Sequence, residues 1–480
     1  MTKAEPKGSL VSSPTAIVAN SHIEETRQAR LRPTRDPEKD PRSPARHDRD
    51  RIIYSRALLR LSGVTQVLTP SERGAWTHNR LTHSLKVAQV ARSIAESLLS
   101  KPHHHGMITT LGGLDADVVE AAALAHDLGH PPYGHIGEVV LDRFARDHLG
   151  LPEGFEGNAQ TLRILATLEP RSSQPNGMDV TAATMAGVLK YPWLRSAGTV
   201  SNTDDPPKFG YYSEEAEAFA RARAWLPASY GDREAQTLEA SIMDVADDIT
   251  YALHDLEDYR FAGLVSTVAV RSELNAWLER YASRLKEGET VDDEDTTFGA
   301  LRKRLTQDPA YNTEDFIAAV YAALGHLKLL NDPQSRHWRI TQENSRRFIS
   351  NQITQYIDHL ELSVTPTRAN PSLRLNVEDW HVVQILKQVT RYFVIGRADV
   401  AAVQRGQQRR LTELLTMLNA WVSDDRDLRR AAPELQELWQ RHGARGLLDY
   451  VAGLTDDRAT VLHATLIGDE VQTVVTGLAL

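Results

Sequence analysis

The chain of 480 residues contains no cysteine. This absence excludes a disulfide framework and any zinc site built from thiolate ligands. Long hydrophobic runs are also missing, because no apolar stretch approaches the roughly 18 residues that a membrane span requires. The first residues lack the basic start and long apolar core of a signal peptide. We therefore expect a cytoplasmic protein without a membrane partner.

An excess of positive charge is missing as well, since the formal net charge is −9. This composition does not favour the extended basic face with which nucleic-acid-binding proteins neutralise phosphates. A small anionic ligand needs only a few well-placed arginine and lysine side chains, so the charge leaves room for a local cationic pocket. The 41% of hydrophobic residues and 25% of charged residues are typical of a globular protein with a sizeable core.

Helical periodicity dominates the chain from Arg51 onward. Apolar residues recur at the three-to-four spacing of one helix face between Leu81 and Leu98. Similar patterns cover residues 118–128, 141–149, 159–168, 214–225, 234–259, 316–330 and 411–422. Strand signals are sparse and short. The sequence therefore predicts an all-α fold.

The densest group of chemically useful residues lies in AALAHDLGHPPYGHIGE, where His126 and Asp127 are adjacent. Neighbouring side chains point about 100° apart on an ideal helix, so both can bind one ion only where the helix ends. Gly129 and the two prolines after it provide such an end. His83 and Asp247, on an upstream and a downstream helix, can add ligands. A mixed imidazole and carboxylate set predicts a site for a hard or borderline divalent ion.

The chain contains three motifs in the order RLTHSLKVA, HDLGHPPYGHIGE and DDITYALHDLED. This ordered set is similar to that of the HD-domain metal-dependent phosphohydrolases. The motifs DPEKDPRSP, DRIIYS, TQV and GFEGNAQTLRIL further resemble the deoxynucleoside triphosphate triphosphohydrolases, the dGTPase-like family. The resemblance extends from about residue 36 to residue 260. It implies an all-helical HD-domain fold, a divalent metal, and hydrolysis of dGTP or several dNTPs to a deoxynucleoside and inorganic triphosphate.

The resemblance also implies which residues bind the metal. By position, these are His83, His126, Asp127 and Asp247, with Asp248 as a competing choice for the last ligand. Mg²⁺ or Mn²⁺ is the expected ion, and Fe²⁺, Co²⁺ and Ni²⁺ are alternatives. These ions accept the oxygen and nitrogen ligands that the motifs offer.

Further residues match catalytic and sugar-binding positions of the family. His135 and Glu138 are three residues apart, so the carboxylate can orient an imidazole that titrates near neutrality. His130 is expected either to face the phosphates or to make a structural hydrogen bond. Tyr251 and Asp255 follow the last metal ligand at intervals of four, which would place all three on one helix face beside the deoxyribose.

A triphosphate carries about four negative charges, so several cationic side chains should converge on it. Arg80 is the first choice, because it lies three residues before a predicted metal ligand and matches an arginine of the family. Lys208 in KFGYY and Arg347 in SRRF, or its neighbour Arg346, are further candidates. Gln66 in TQV resembles a glutamine that contacts the sugar in relatives.

The chain departs from the family pattern at three positions. Leu59 and Val64 stand where many relatives have basic residues, and Gly157 stands where some have a histidine. These changes bear on base preference and phosphate affinity, and they leave two alternatives open. One is an HD-type phosphohydrolase acting on another nucleotide phosphoester, which only one or two cations around the site would indicate. The other is a nucleotide-binding sensor or assembly protein with little turnover.

Composition and the resemblance together predict three parts of the chain, the first of which has few large apolar residues. Residues 1–50 form an N-terminal arm that is partly disordered or ordered on the core or in an oligomer. Residues 51–265 form the HD phosphohydrolase core, and residues 266–480 form a helical region that completes the active site and makes oligomer contacts. Since relatives are often tetramers or hexamers that a second nucleotide activates, the expected partners are a dNTP substrate, a nucleotide effector and further copies of this chain.

Overall fold

A computed structural model describes residues 15–30, 40–66, 79–170, 177–195, 207–329 and 338–469. Helices make up nearly all of the regular structure in these ranges, which confirms the all-α prediction. No helix among the described residues is long and apolar enough to cross a membrane. Residues 1–14 and 31–39 of the predicted arm lie outside the described residues, as do the start of DPEKDPRSP, Val67 of TQV and residue 330 of a predicted helix.

The elements of the first half follow one another in short steps. They are β1 (Ala16–Val18), α1 (Ser21–Gln28), α2 (Pro44–Ile53), α3 (Arg56–Arg60), α4 (Arg80–Ser100), α5 (His105–Thr110), β2 (Gly113–Asp115), α6 (Ala116–Ala125), α7 (His135–His148), α8 (Gly157–Arg163), α9 (Ala182–Gly187), α10 (Ala216–Ala222), α11 (Leu238–Thr250) and α12 (Leu256–Phe261). Short 3-10 turns occur at Leu61–Gly63, Pro102–His104 and Ser213–Glu215, and π-helical turns occur at Ile164–Leu168 and Tyr251–Asp255.

The second half is also helical. It contains α13 (Thr267–Trp277), α14 (Ser283–Lys286), α15 (Thr297–Leu305), α16 (Thr313–Leu329), α17 (Trp338–Asp358), β3 (Leu360–Leu362), β4 (Leu373–Leu375), α18 (Val377–Thr390), α19 (Ala398–Val422), α20 (Asp425–Leu428), α21 (Pro433–His442), α22 (Ala444–Ala452) and α23 (Asp456–Ile467), with π-helical turns at Leu278–Ala282 and Arg391–Ile395. The strands form two antiparallel pairs, β1 with β2 and β3 with β4.

Two hydrophobic cores hold these helices. The larger core is built around α4, α6 and α11 and extends into α13, α16 and α18 of the second half. On α6, the alanines from Ala121 to Ala123 and Ala125 are buried, and such small side chains let neighbouring helices approach closely. The smaller core joins α7 to α19, α22 and α23. The chain passes from the larger core to the smaller one between α6 and α7, in the segment that carries the predicted chemistry.

The described parts of the N-terminal arm pack on the core through paired charges. Arg27 of α1 is buried, forms an ion pair with Glu239 of α11 and lies over the ring of Trp225 at 4.3 Å. Arg30 pairs with the buried Asp48 of α2 at 2.6 Å. The described parts of the N-terminal arm are thus held by buried ion pairs, and β1 pairs with β2.

Candidate active site

His126 and Asp127 lie in a turn that directly follows α6. The predicted helix to residue 128 is three residues too long, because α6 ends at Ala125 and the backbone N–H of Leu128 donates to the Ala125 carbonyl at 3.0 Å. A Cβ atom on Gly129 would lie 2.0 Å from a backbone oxygen of α8, so this close approach requires glycine. The early end of α6 lets both adjacent side chains face the same cluster.

The four predicted metal ligands, His83, His126, Asp127 and Asp247, meet in this cluster. Nε2 of His83 lies 3.0 Å from Oδ1 of Asp247. Nε2 of His126 lies 3.5 Å from Oδ1 of Asp127 and 3.9 Å from Oδ1 of Asp247. Ligand atoms of His83, His126 and Asp127 all lie within 4.8 Å of one another, and the three residues are buried.

The outer nitrogen of each histidine is engaged, which directs the other nitrogen into the cluster. Nδ1 of His126 donates to the Ala123 carbonyl at 2.7 Å, and its buried Nε2 has no hydrogen-bond partner in the described parts of the chain. Nδ1 of His83 lies 3.4 Å from Oδ1 of Asp255. A carboxylate or carbonyl on the outer nitrogen is the arrangement that orients metal-binding histidines.

Each carboxylate of the cluster has a cation on its outer oxygen. Oδ2 of Asp127 accepts a hydrogen bond from Nη1 of Arg80 at 2.8 Å, and Oδ2 of Asp247 accepts one from Nζ of Lys190 at 2.9 Å. Burial opposes ionisation, but Arg80 and Lys190 hold the pKa of the carboxyls beside them well below the usual range. Both groups are therefore carboxylates, and their Oδ1 atoms are the ones that face the histidines.

This donor set fits a divalent cation. Two carboxylate oxygens and two imidazole nitrogens converge, and the Nε2 atom of His126 is a buried acceptor that nothing else in the described chain satisfies. Burial lowers the pKa of His83, but the charges of Asp255 and Asp247 outweigh it and raise that pKa to about 10. The cluster thus attracts positive charge, which a bound metal ion would supply in place of the proton.

His130 connects this cluster to the predicted catalytic pair. Its Nδ1 lies 3.1 Å from Oδ1 of Asp127, and its Nε2 lies 3.7 Å from Oε1 of Glu138. Nδ1 of His135 donates to Oε2 of Glu138 at 2.9 Å, as the spacing predicts. Both residues belong to the first turn of α7, which begins at His135, six residues before the predicted start. His130 thus lies between the metal cluster and Glu138, and both of its expected roles stay predictions.

Glu138 is fully buried and held from three sides. Besides the imidazole on Oε2, its Oε1 accepts from the backbone N–H of Gly157 at 2.9 Å, and Nζ of Lys208 lies 3.4 Å from Oε2. Lys208 also bonds Glu156 at 3.0 Å. Burial opposes ionisation, but Lys208 and the neighbouring histidines hold the pKa of Glu138 well below its usual range. A Cβ atom on Gly157 would lie 2.5 Å from Oε1, so a larger residue at this position would require the Glu138 carboxylate to shift.

The predicted sugar-binding residues border the other side of the cluster. The expected α-helix over residues 234–259 begins at Leu238 instead and opens into a π-helical turn at Tyr251–Asp255. Such turns are frequent at functional sites. The His83 ring spans this stretch, with Asp247 on one nitrogen and Asp255 on the other. Oδ2 of Asp255 is buried without a partner among the described residues, and Tyr251 is half-buried.

Gln66 lies beside the start of α4. The preceding Val64 is fully buried, and its carbonyl accepts a hydrogen bond from the Arg80 backbone N–H at 3.1 Å. Oε1 of Gln66 is buried and has no partner within the described residues. Leu59, in contrast, is 67% exposed. Val64 is thus part of the core, whereas Leu59 faces outward.

Arg347 does not join the cluster. Its side chain is 68% exposed and pairs with Glu343 on the same helix at 2.8 Å, and Arg346 is exposed beside it. This geometry corresponds to a solvated ion pair one turn apart. The structure gives no support to the predicted phosphate contact from either arginine.

Two lysines that sequence reasoning missed do border the site. Lys190 bonds Asp247 and also lies 2.7 Å from Oδ1 of Asp244. Lys387 of α18 donates to Oδ1 of Asp248 at 2.6 Å, so this competing ligand is engaged away from the histidines. A lysine inside the apolar stretch AGVLKYPW is a signal that could have found Lys190, because buried cations need partners. No local signal marks Lys387.

Comparisons with known proteins agree with this geometry. The HD domain family matches residues 80–252, which contain all four clustered side chains, and the phosphohydrolase-associated domain family matches residues 376–465. A deoxyguanosinetriphosphate triphosphohydrolase-like protein of Streptomyces coelicolor is 33% identical over 90% of this chain and 95% of its own length. Proteins of the same name from Shewanella woodyi and Aliivibrio fischeri are each 30% identical, over 92% and 95% of this chain and 95% and 99% of their own lengths.

Proposed function

The chain belongs to the family of deoxyguanosinetriphosphate triphosphohydrolase-like proteins with a metal-dependent HD phosphohydrolase domain, and we propose that it hydrolyses deoxynucleoside triphosphates to a deoxynucleoside and inorganic triphosphate. The observation that carries this proposal is the convergence of His83, His126, Asp127 and Asp247 beside an acid–base pair and several cations. dGTP or several dNTPs are the proposed substrates.

His83, His126, Asp127 and Asp247 would hold the metal, for which we propose Mg²⁺ or Mn²⁺. Carboxylate-rich sites suit these hard ions, while the two imidazoles leave Fe²⁺, Co²⁺ and Ni²⁺ as alternatives. When bound, such an ion lowers the pKa of a coordinated water and polarises a phosphoryl oxygen. Arg80 and Asp255 bond the outer atoms of Asp127 and His83 and thereby fix the orientation of these side chains.

We propose His135 as the group that exchanges a proton with the reacting oxygens. Its Nδ1 proton is committed to Glu138 at 2.9 Å, so the transfer would occur at Nε2. The buried Glu138 carboxylate stabilises the protonated imidazole, while Gly157 and Lys208 keep that carboxylate in place. Proton transfer to the leaving 5′-oxygen, or from the attacking water, would pass through this atom.

Four cations support a triphosphate rather than a single phosphate as the bound group. Arg80, Lys190, Lys208 and Lys387 each bond a carboxylate of the cluster or its border at 3.0 Å or less. Their number counts against the alternative of a substrate with one phosphate, which one or two cations would serve. Lys190 and Lys387 reach the site from positions other than Leu59 and Val64, so the loss of basic residues at those two positions does not by itself favour a low-turnover sensor.

The sugar would lie against the π-helical turn. Oδ2 of Asp255 and Oε1 of Gln66 are buried acceptors without partners among the described residues, and hydroxyl groups of a deoxyribose can donate to both. Tyr251 would pack where a ribose 2′-hydroxyl would otherwise sit. We further propose that residues 266–480 complete the site, since Lys387 reaches it from α18. The homo-oligomer and the nucleotide effector remain predictions from the family.

The test is to incubate the purified protein with each dNTP and each ribonucleotide, with Mn²⁺ or Mg²⁺, and to separate the products by ion-exchange chromatography. We expect triphosphate and a deoxynucleoside in equal amounts, and little product from ribonucleotides. Pyrophosphate or single phosphate as the first product would contradict the proposal. His126→Asn should abolish the release, whereas replacing the exposed His103, the first of the three histidines at 103–105, by Asn should not.

A further inference from the structure

The turn between His130 and His135 carries backbone strain. Tyr133 and Gly134 both have positive φ angles, 62° and 57°. For a tyrosine this conformation is unfavourable, because its Cβ atom crowds the following carbonyl oxygen. Strain of this kind persists only where the surrounding structure holds the residue. Other parts of the structure must therefore hold Tyr133 in the short connection between His130 and His135.

Asp456, the first residue of α23, holds the strained residue. Its Oδ1 accepts a hydrogen bond from the Tyr133 backbone N–H at 2.7 Å. The Tyr133 hydroxyl donates to the Asp456 carbonyl at 3.3 Å and lies 2.8 Å from Oγ1 of Thr460, one turn further along α23. Backbone and side chain of Tyr133 are thus both fixed by a helix more than 300 positions away in the chain.

The second oxygen of the same carboxylate holds the loop of Gln66. Oδ2 of Asp456 accepts from the Thr65 backbone N–H at 3.1 Å and also from the Thr65 hydroxyl. Thr65 precedes Gln66 and pairs with Asn79 in a β-bridge at the start of α4. Asp456 is itself buried. One buried carboxylate therefore joins the loop that carries a predicted sugar contact to the turn that carries the predicted proton donor.

The held turn is packed directly against the site. A Cβ atom on Gly134 would lie 2.7 Å from Nη2 of Arg80 and 3.2 Å from the Thr65 carbonyl oxygen. A shift of the turn therefore displaces Arg80, which bonds Asp127, as well as His135. Because the contacts are close, small movements of the turn reach both ends of the site.

We infer that Asp456 is a positioning residue for the reaction: its carboxylate holds the turn from Pro131 to Gly134 and the Thr65 loop, and so sets where His135 and Gln66 stand. The inference rests on the proposed function for its effect on catalysis. The alternative is that Asp456 only adds negative charge at the N-terminus of α23, where it would interact favourably with the helix dipole. Asp457, exposed in the same first turn, shares that charge effect without contacting the turn, and so provides a matched control.

The experiment compares Asp456→Asn with Asp457→Asn in the full chain. Hydrogen exchange of the 131–134 peptide measures the hold on the turn, and Mn²⁺-dependent stabilisation measures the metal cluster. The rate at which diethyl pyrocarbonate modifies His135, followed by mass spectrometry, reports its position without any need for turnover, since this side chain is 48% exposed. Steady-state kinetics with the preferred dNTP gives kcat and KM.

For Asp456→Asn we expect exchange of the turn at least about tenfold faster, because one hydrogen bond to a charged acceptor is lost. We also expect His135 modified about threefold faster, because its Nδ1 is released from Glu138, and kcat lowered about tenfold or more, as for other supporting residues. The Mn²⁺ effect should persist. Asp457→Asn should match the unmodified protein in all four measurements.

The inference would be overturned if Asp456→Asn left the exchange of the turn unchanged, or if it made exchange faster without changing the modification of His135. Equal effects of Asp456→Asn and Asp457→Asn would overturn it as well. If Asp456→Asn does not fold, Thr65→Val removes one donor to the same carboxylate, and unchanged exchange and His135 modification there would overturn it too. Absence of triphosphate from every dNTP with the unmodified protein would instead refute the proposed function, and the exchange and modification measurements would still decide the role of Asp456.

Discussion

Removal of His126 should abolish metal-dependent stabilisation of the protein. The buried Nε2 atom of this residue has no hydrogen-bond partner among the described residues, and it lies 3.5 Å and 3.9 Å from the inner oxygens of Asp127 and Asp247. Asparagine in its place is too short to bring a ligand atom to the same point. We therefore expect His126→Asn to remove one ligand while Arg80 and Lys190 keep both carboxylates where they are.

The expected size of the effect follows from linkage. A metal at 100 times its Kd stabilises the folded protein by about 2.7 kcal/mol. Unfolding entropy is about 2.1 cal/mol/K per residue, so a chain of 480 residues unfolds with about 1 kcal/mol/K, and the metal should raise Tm by about 3 °C. Without metal, the variant loses the hydrogen bond from His126 to Ala123, which costs about 1 kcal/mol or about 1 °C.

The assay is thermal unfolding with and without Mn²⁺, in which the difference between the two Tm values cancels the loss of stability in the metal-free variant. His103→Asn is the control, because this exposed histidine, the first of three in a row at 103–105, can bind metal adventitiously. We expect the metal-dependent shift to survive in the control and to vanish in His126→Asn. A full shift in His126→Asn together with its loss in the control would refute the assignment of the metal to the buried cluster.

Three further results are expected. Glu138→Gln should lower kcat by about 100-fold or more, the usual scale for general acid–base catalysis, because a neutral amide cannot stabilise the His135 imidazolium. An unchanged kcat would exclude His135 as the proton donor. Burial raises the pKa of Glu215 to about 7 although Arg163 opposes the rise, so the stability from this group is full below about pH 4.5 and is lost as the pH rises through 7. Glu215→Gln should accordingly raise Tm at pH 8 but not at pH 5, and equal changes at both pH values would contradict this sign. Arg347→Ala should change the unfolding free energy by less than about 1 kcal/mol and leave KM for the dNTP unchanged. A large rise in KM would instead indicate that Arg347 contacts the substrate.

The sequence predicted the parts of the site that depend on local spacing and motif order. His135 and Glu138, three residues apart, do form a hydrogen bond, and Asp247 meets the cluster of His83, His126 and Asp127 through the two histidines. Helix ends were less accurate, since the predicted end at residue 128 lies three residues beyond the true end of α6 at Ala125. Periodicity records which residues are buried, and His126 and Asp127 are buried in a turn just as they would be in a helix.

Contacts between distant segments could not be predicted in the same way. The replacement of basic residues by Leu59 and Val64 suggested a loss of positive charge, yet Lys190 and Lys387 reach the border of the site from elsewhere in the chain. Arg347 had the right charge and stands on an exposed face. The direction of a lysine or arginine depends on tertiary packing, which neither composition nor a short motif records.

The charges of the buried cluster explain why its residues occur together. The contact network contains four carboxylates, those of Asp127, Asp244, Asp247 and Asp255, against two cations, Arg80 and Lys190. Within this set two negative charges are left without a cation if the histidines are neutral, and partial burial makes such unpaired charge costly. Burial lowers the pKa of His83, but Asp255 and Asp247 outweigh it and raise that pKa to about 10, so a proton on this imidazole offsets one of the negative charges. A divalent cation bound by His83, His126, Asp127 and Asp247 would supply both charges at once, which gives a charge-based reason for these carboxylates to stand together.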